Sequence, residues 1–230
     1  MKRTMTIASL LLATTMLSVL ALPANAADVA VPAPAYKAPP AIDAWNPWMI
    51  RLRALGVVTR NSGHVDQIPG SDLNVSDSIV PELDISYFFT PNIAAELILG
   101  VTRHHVTGAG SIAGVDVGKA WLLPPTLTLQ YHFTNFGAFK PYIGAGVNYT
   151  MFFSQEAAGG AVTALDLKNS FAPALQIGFD YMIDRHWGVN VDVKKLWLQP
   201  SFNATVGGAP VTGKANLDPW LIGAGVTYKF

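Results

Sequence analysis

The chain of 230 residues has no cysteine, which excludes thiol catalysis, cysteine-ligated metal and disulfide stapling together. Charge is scarce as well. Asp, Glu, Lys and Arg make up 13% of the residues and cancel to a formal net charge of zero. Without a basic excess there is no electrostatic footprint for nucleic acid, and no block of like charge marks an acidic or basic tail. Long apolar runs are missing beyond residue 26. A helical membrane span needs about 18 or more apolar residues in a row, so none is expected there. Yet 50% of the residues are hydrophobic, too many for a soluble surface with so little charge. Apolar composition without a spanning helix is what a membrane β-barrel leaves in a sequence, because alternate residues face lipid and lumen.

The N-terminus carries its own signals. Lys2 and Arg3 precede an apolar stretch from Ile7 to Leu22, which ends in Ala24-Asn25-Ala26. That order reads as a secretory signal peptide over residues 1–26, cleaved after Ala26. Residues 27–47 hold Pro32, Pro34, Pro39, Pro40 and Pro47 among alanines. Such a stretch neither pairs as a strand nor continues a helix, so an extended leader is expected.

From residue 48 onward the sequence alternates. At the C-terminus Trp220, Ile222, Ala224, Val226, Tyr228 and Phe230 fall on one face at period two, the signature of a strand with one apolar side. Its closing pattern, apolar-x-Tyr-x-apolar, recurs around Tyr87, Tyr131 and Tyr181 at nearly even intervals. Each interval suits a strand, a turn, a strand and a loop, so four copies predict an eight-stranded antiparallel barrel over 48–230. The strands are expected at 48–58, 80–89, 93–106, 122–133, 140–153, 169–183, 187–198 and 220–230.

Connections alternate in length. Polar, mostly Gly-rich loops are expected at 59–79, 107–120, 154–168 and 199–214, and tight turns near 90–92, 135–137 and 184–186. Outer-membrane barrels have this asymmetry, with short periplasmic turns and long extracellular loops, which puts both termini and the leader in the periplasm. Aromatics such as Trp48, Tyr87, Phe89, Tyr131, Phe133, Tyr181, Trp187, Tyr228 and Phe230 crowd the turn end, as at a membrane interface. A lipocalin-type soluble barrel also has eight strands, but its apolar face points inward around a ligand.

Several blocks resemble the outer membrane protein W family. They are Leu123-Pro-Pro-Thr-Leu-Thr-Leu-Gln-Tyr131, Pro141-Tyr-Ile-Gly-Ala-Gly-Val-Asn-Tyr-Thr150 with Phe152-Phe153, Gln176-Ile-Gly-Phe-Asp-Tyr181, Asp218-Pro-Trp220 and Gly225-Val-Thr-Tyr-Lys-Phe230. The similarity spans 48–230. It implies a small eight-stranded barrel that eases passive uptake of small hydrophobic compounds, and no family motif is found in the first long loop. The final strand also looks like those that the outer-membrane assembly machinery recognises, so that machinery is an expected partner beside the membrane lipids.

Parity sorts the inner face. Arg51, Arg53, Lys194 and Lys229 point inward with Glu82, Asp84, Glu96, Asp180 and Asp192. Eight strands leave a bore only wide enough for side chains, and buried charges must pair. A polar plug is expected, not an open channel. Toward the loop end inward positions turn apolar at Leu55, Val57, Leu122, Phe152, Leu196, Leu198 and Leu221. This vestibule suits an apolar ligand that cannot continue straight through and leaves sideways between strands into the bilayer. Partition into hydrocarbon, about 0.8 kcal/mol per buried CH2, would drive it. The alternative is that these residues simply pack the barrel top.

Other constellations are weaker. His104 and His105 are adjacent, so they point to opposite faces and do not chelate together; no metal or other cofactor is expected. An enzyme needs a nucleophile, a base and an orienting group in reach. Ser86, Asp84 and His132 lie on inner faces, but no spacing forces them to converge, so catalysis is not expected. Gly144-x-Gly146 lies within a strand and relieves crowding in the bore. A structural or receptor barrel that docks partners through its loops is the rival to uptake.

Overall fold

The computed structural model describes residues 45–230; the expected signal peptide and nearly all of the expected leader lie outside them. The described residues form fifteen strands. In order these are β1 (Trp48–Val58), β2 (Ser62–Val65), β3 (Ser71–Val75), β4 (Ser78–Phe88), β5 (Ile93–Gly100), β6 (Thr102–Gly110), β7 (Asp116–Leu123) and β8 (Thr126–His132). They continue with β9 (Phe139–Ala157), β10 (Val162–Leu167), β11 (Ser170–Met182), β12 (Trp187–Leu196), β13 (Ser201–Val206), β14 (Ala209–Asn216) and β15 (Trp220–Lys229).

Eight of these close a barrel in the order β11-β12-β15-β1-β4-β5-β8-β9, and β9 returns to β11. All pairs are antiparallel. Closure follows from the alternation. On β1, Met49, Arg51, Arg53, Leu55 and Val57 are buried in the bore, while Leu52 on the other face is 56% exposed. Leu129 and Ile177 are likewise 59% and 61% exposed. An apolar exterior of this kind belongs in lipid, where every backbone N–H and C=O must be paired and a sheet must therefore have no edge.

At the turn end the girdle rings lie edge to face. Trp48 and Tyr87 have centroids 5.0 Å apart, Tyr131 and Phe133 5.0 Å, and Trp187 and Tyr228 4.8 Å. The turn between β11 and β12 is held by Asp184, whose Oδ1 accepts the N–H groups of Trp187 and His186, each at 2.7 Å. These two donors, Trp187 foremost, hold the Asp184 carboxyl below the usual carboxylate range.

Two expected strands are broken. The one at 93–106 divides at Val101 into β5 and β6, and the one at 122–133 divides at Pro124-Pro125 into β7 and β8. The register is continuous across both breaks, since Ile98 pairs with Thr126 and Thr102 with Leu122. Gly100 therefore faces Pro124. The cause is chemical, because neither proline has an N–H to give to a ladder. Asn148 satisfies the carbonyls on the opposite side, donating to Pro124 at 3.0 Å and to Pro125 at 3.3 Å.

The expected long loops are also corrected, because most of their residues are strand. β3, β6 and β7 continue upward from the far half of β9, and β10-β13-β14-β2 form a separate four-stranded sheet. Between the two sheets an apolar interior contains Val65, Leu73, Val117, Leu167, Phe202 and Val211. β13 and β14 meet through Gly207 and Gly208, with φ of 58° and 81°. Positive φ at both central residues gives the tight turn whose twist matches paired strands.

Gly178 shows how closely the bore is filled. A Cβ there would lie 2.6 Å from the Tyr142 hydroxyl oxygen and 2.7 Å from Cζ, and Tyr142 is fully buried. Gly178→Ala should therefore lower stability by about 1–3 kcal/mol, the usual range for overpacking, as read from urea unfolding in lipid vesicles. Adding Tyr142→Leu should recover part of the loss.

Candidate functional site

Because side chains alternate along a strand, Arg51 and Arg53 leave β1 on the same side and enter the bore together. Arg51 is bidentate on Asp180, with Nε to Oδ1 at 3.0 Å and Nη2 to Oδ2 at 2.6 Å. Its Nη1 bonds Glu96, and its guanidinium lies 4.8 Å over the Tyr142 ring. Arg53 Nη2 sits 2.8 Å from Glu82 and 2.7 Å from Asp84, and Nη1 is 3.2 Å from Asp192. Lys194 joins Glu82 and Asp192, each at 2.9 Å.

Three cations thus face five carboxylates, all of them almost completely buried. Neutral donors serve the excess acceptors. Gln130 and Gln176 donate to Glu96 at 2.8 and 3.0 Å, Gln176 to Asp192 at 2.6 Å, and Thr227 to Asp180 at 2.6 Å. These bonds and the ion pairs cross the bore between strands on different sides of the barrel.

Lys229 is not part of it. The expected plug residue lies nearer the turn end, half-buried, with its ammonium 4.7 Å from the centre of the Phe88 ring. Its ammonium thus rests over a buried ring below the ion pairs. Phe88 itself, with Met49 and Ala94, forms a small apolar cluster below the ion pairs. Its ring packs at 4.8 Å on His132, which stacks at 4.9 Å on Tyr142. Of these residues the sequence had placed His132 on an inner face.

The three residues weighed for catalysis do not assemble. Ser86 donates to Glu96 at 3.0 Å, whereas His132 Nε2 pairs with the Gln130 side-chain oxygen at 2.9 Å. His104 and His105 diverge as adjacent strand residues must. His104 Nδ1 donates to the Ser76 carbonyl at 2.5 Å, and His105 Nε2 meets Asp116 at 2.6 Å on the outside. His104 lies above the spanning strands in the wall of the upper interior. Burial pushes its imidazole down, and the Ser76 carbonyl offsets this only in part, so it presents a neutral ring.

Above the plug, Leu55, Val57, Leu122, Phe152, Leu196, Leu198 and Leu221 surround one cavity of about 70 Å³. Residues from the upper sheets complete the wall, among them Leu73, Leu165, Leu167 and Phe202. Sequence reasoning had assigned these four to loops; the short alternation of Phe202 and Ala204 before Gly207-Gly208 was the available hint. A second cavity, about 40 Å³, lies higher between the two sheets and shares Leu73, Val117 and Phe202. The larger space is about half the dry cavity of about 150 Å³ that takes up benzene. A ligand must therefore push side chains apart to occupy it.

Comparison with known proteins places this geometry. The OmpW family model matches residues 48–230. The outer-membrane protein y4mB of Sinorhizobium fredii, itself uncharacterised, is 61% identical over 80% of this chain and 80% of its own. The dibenzothiophene metabolism operon protein PahQ of Pseudomonas aeruginosa is 30% identical, over 80% of this chain and 89% of its own. Among solved structures, the outer membrane protein OprG of Pseudomonas aeruginosa superposes with a TM-score of 0.73 at 28% identity. That likeness covers 80% of this chain and 95% of OprG.

The plug makes two measurable claims. Arg53→Leu leaves Glu82, Asp84 and Asp192 without their shared cation, and should cost about 3–5 kcal/mol of stability, as for other broken buried pairs. Urea unfolding in vesicles would show it as a lowered midpoint. The unaltered barrel in a planar bilayer should carry no sustained porin-like current.

Proposed function

The chain belongs to the OmpW family and to the bacterial outer membrane, and from that premise we propose that it eases passive uptake of small hydrophobic molecules. Both termini are periplasmic in this reading, so the turn end faces the periplasm and the upper sheets face the cell exterior. Residues 1–26 are the exported chain's signal peptide, and the strand ending in Phe230 is the mark the assembly machinery reads. The barrel does no chemistry on what it carries.

One observation carries the reading: an apolar cavity above a buried ion-paired plug, beside a break in the wall. A molecule that enters the cavity cannot go down, because moving an apolar group through paired charge would leave those charges unsatisfied. Beside it, Gly100 and Thr102 on one side and Pro124 and Leu122 on the other line the cavity. There the ladder is interrupted between Ile98–Thr126 and Thr102–Leu122. Parting the wall at that point breaks fewer backbone hydrogen bonds than anywhere along a continuous ladder. The ligand leaves sideways into the bilayer, where each CH2 gains about 0.8 kcal/mol over water. The dibenzothiophene in the operon name of the relative PahQ is a hydrophobic heteroaromatic of the same chemical class.

The test compares uptake of a long-chain apolar solute and a sugar of similar size by cells with and without the protein. Faster uptake of the apolar solute alone is expected. Phe152→Asp or Leu196→Asp, which places an unpaired carboxylate in the cavity wall, should abolish the gain while the barrel still assembles. Replacing both Pro124 and Pro125 by Ala restores two donors to the wall and should slow the apolar solute. Equal rates for both solutes, with or without the protein, would leave a structural or receptor barrel as the better reading.

A further inference from the structure

The outward residues of β12 are Trp187, Val189, Val191 and Val193, and the series ends on Lys195. On the strands that flank it, β11 and β15, every outward residue is uncharged. Lys195 pairs in register with Trp220 on β15, and its ammonium lies 5.1 Å from the centre of that ring. Its Nζ donates to the Asp218 carbonyl, which leaves N–H donors to spare. Arg60 brings a second cation to the same corner, since its backbone N–H donates to the neighbouring Leu217 carbonyl at 2.8 Å. Trp197 and Trp220 are both exposed here, as tryptophans are at the headgroup level of a membrane.

Among the described residues no salt bridge ties Lys195 or Arg60 to a carboxylate. Two carboxylates lie nearby, and both are engaged elsewhere. Asp218 accepts the Gln199 side-chain amide at 2.9 Å, and Asp77 accepts the Thr59 N–H at 3.0 Å. Another cation over a ring toward the loop end differs on this point. Arg103 lies 5.5 Å over Trp121, and its Nη2 has Glu156 at 3.9 Å.

From the Lys195 corner an open apolar groove of about 830 Å³ runs over the lipid-facing surface. It follows one row of paired residues, Trp220, Lys195, Leu175, Ala145 and Leu129, and ends at Ile93 on β5. Ala145 is its floor, a single methyl group between the larger Leu129 and Leu175. From β15 across to β5 the path measures about 24 Å at the usual strand spacing. With strands tilted by roughly 40° it descends about 15 Å, about half the hydrocarbon core of a bilayer. That is the reach of one leaflet's acyl chains.

We propose that this outer face holds one phosphorylated lipid of the leaflet at the loop end, with its phosphate at Arg60 and Lys195 and an acyl chain along the groove past Ala145. Charge complementarity selects the head, because cations without carboxylate partners attract an anion and a phosphate accepts several N–H donors at once. The groove selects the tail by covering apolar surface along a continuous path. The lipid sits outside the wall, so this site stands or falls independently of the uptake reading.

The folded barrel in neutral detergent is titrated with three probes, and bound copies are counted by native mass spectrometry. The probes are dimyristoylphosphatidic acid, dimyristoylglycerol, which has the same chains without the phosphate, and inorganic phosphate. The phosphatidic acid should bind about tenfold or more tightly than dimyristoylglycerol, the worth of one charge-assisted hydrogen bond. Arg60→Gln with Lys195→Gln should remove that difference, and Arg60→Lys with Lys195→Arg should keep it. Ala145→Leu, which raises the floor, should weaken both lipids by about threefold or more, the worth of one displaced CH2. Arg103→Gln removes a cation already matched by Glu156 and should change nothing. The two lipids are compared within each variant, so a general loss of stability does not imitate the result. Equal binding of the two lipids, or the same loss in Arg103→Gln as in the double Gln variant, would overturn the site. Inorganic phosphate that displaces the phosphatidic acid at equal concentration would make the corner a free-anion site and overturn the lipid.

Discussion

Two arginines separated by one residue on β1 enter a bore that eight strands leave only wide enough for side chains. Arg51 and Arg53 therefore touch four other strands between them: they reach Asp180 on β11, Glu82 and Asp84 on β4, Glu96 on β5 and Asp192 on β12. Each guanidinium needs the barrel closed, since its partners come from opposite walls. The closed barrel in turn needs the guanidiniums, because five buried carboxylates without them would be prohibitively costly. Ring closure and ion pairing are one event seen from the backbone and from the side chains.

The rest of the molecule is arranged around that plug. Below it, Phe88 and His132 shield the pairs from the turn end. Above it, the bore turns apolar as soon as charged partners run out, and two extra sheets roof the apolar part over. The cavity left under this roof is small, about 70 Å³, so its lining is close to packed when empty. That is the cheaper resting state, because a large dry void forfeits dispersion contacts. Beside the cavity Gly100 faces Pro124, where the backbone ladder is missing because proline has no N–H to give.

Much of this was legible in one dimension. Residues such as Leu129, Tyr131 and Phe133 must face lipid while Gln130 and His132 face the bore, and period two records that division without help from any other strand. The same parity sends Arg51, Glu82, Asp192 and Lys194 inward. It also sends Lys229 inward, and there it misleads, because parity says which side a residue takes but not how far along the bore it lies. The upper sheets were less legible. β10 and β13 are six residues each, rich in Ala, Thr and Gly around them, and a short strand becomes visible only when a partner buries one of its faces.

What the amino-acid order alone determined is the alternation, the length asymmetry of the connections and the prolines at 124 and 125, each a property of neighbouring residues and of chemistry that no fold can change. What only the tertiary structure decided is which residues meet across the bore and across the break in the wall. Arg51 finds Asp180 from 129 positions away, and Gly100 comes to face Pro124. Those meetings depend on strand register, and register is set by all eight walls closing at once.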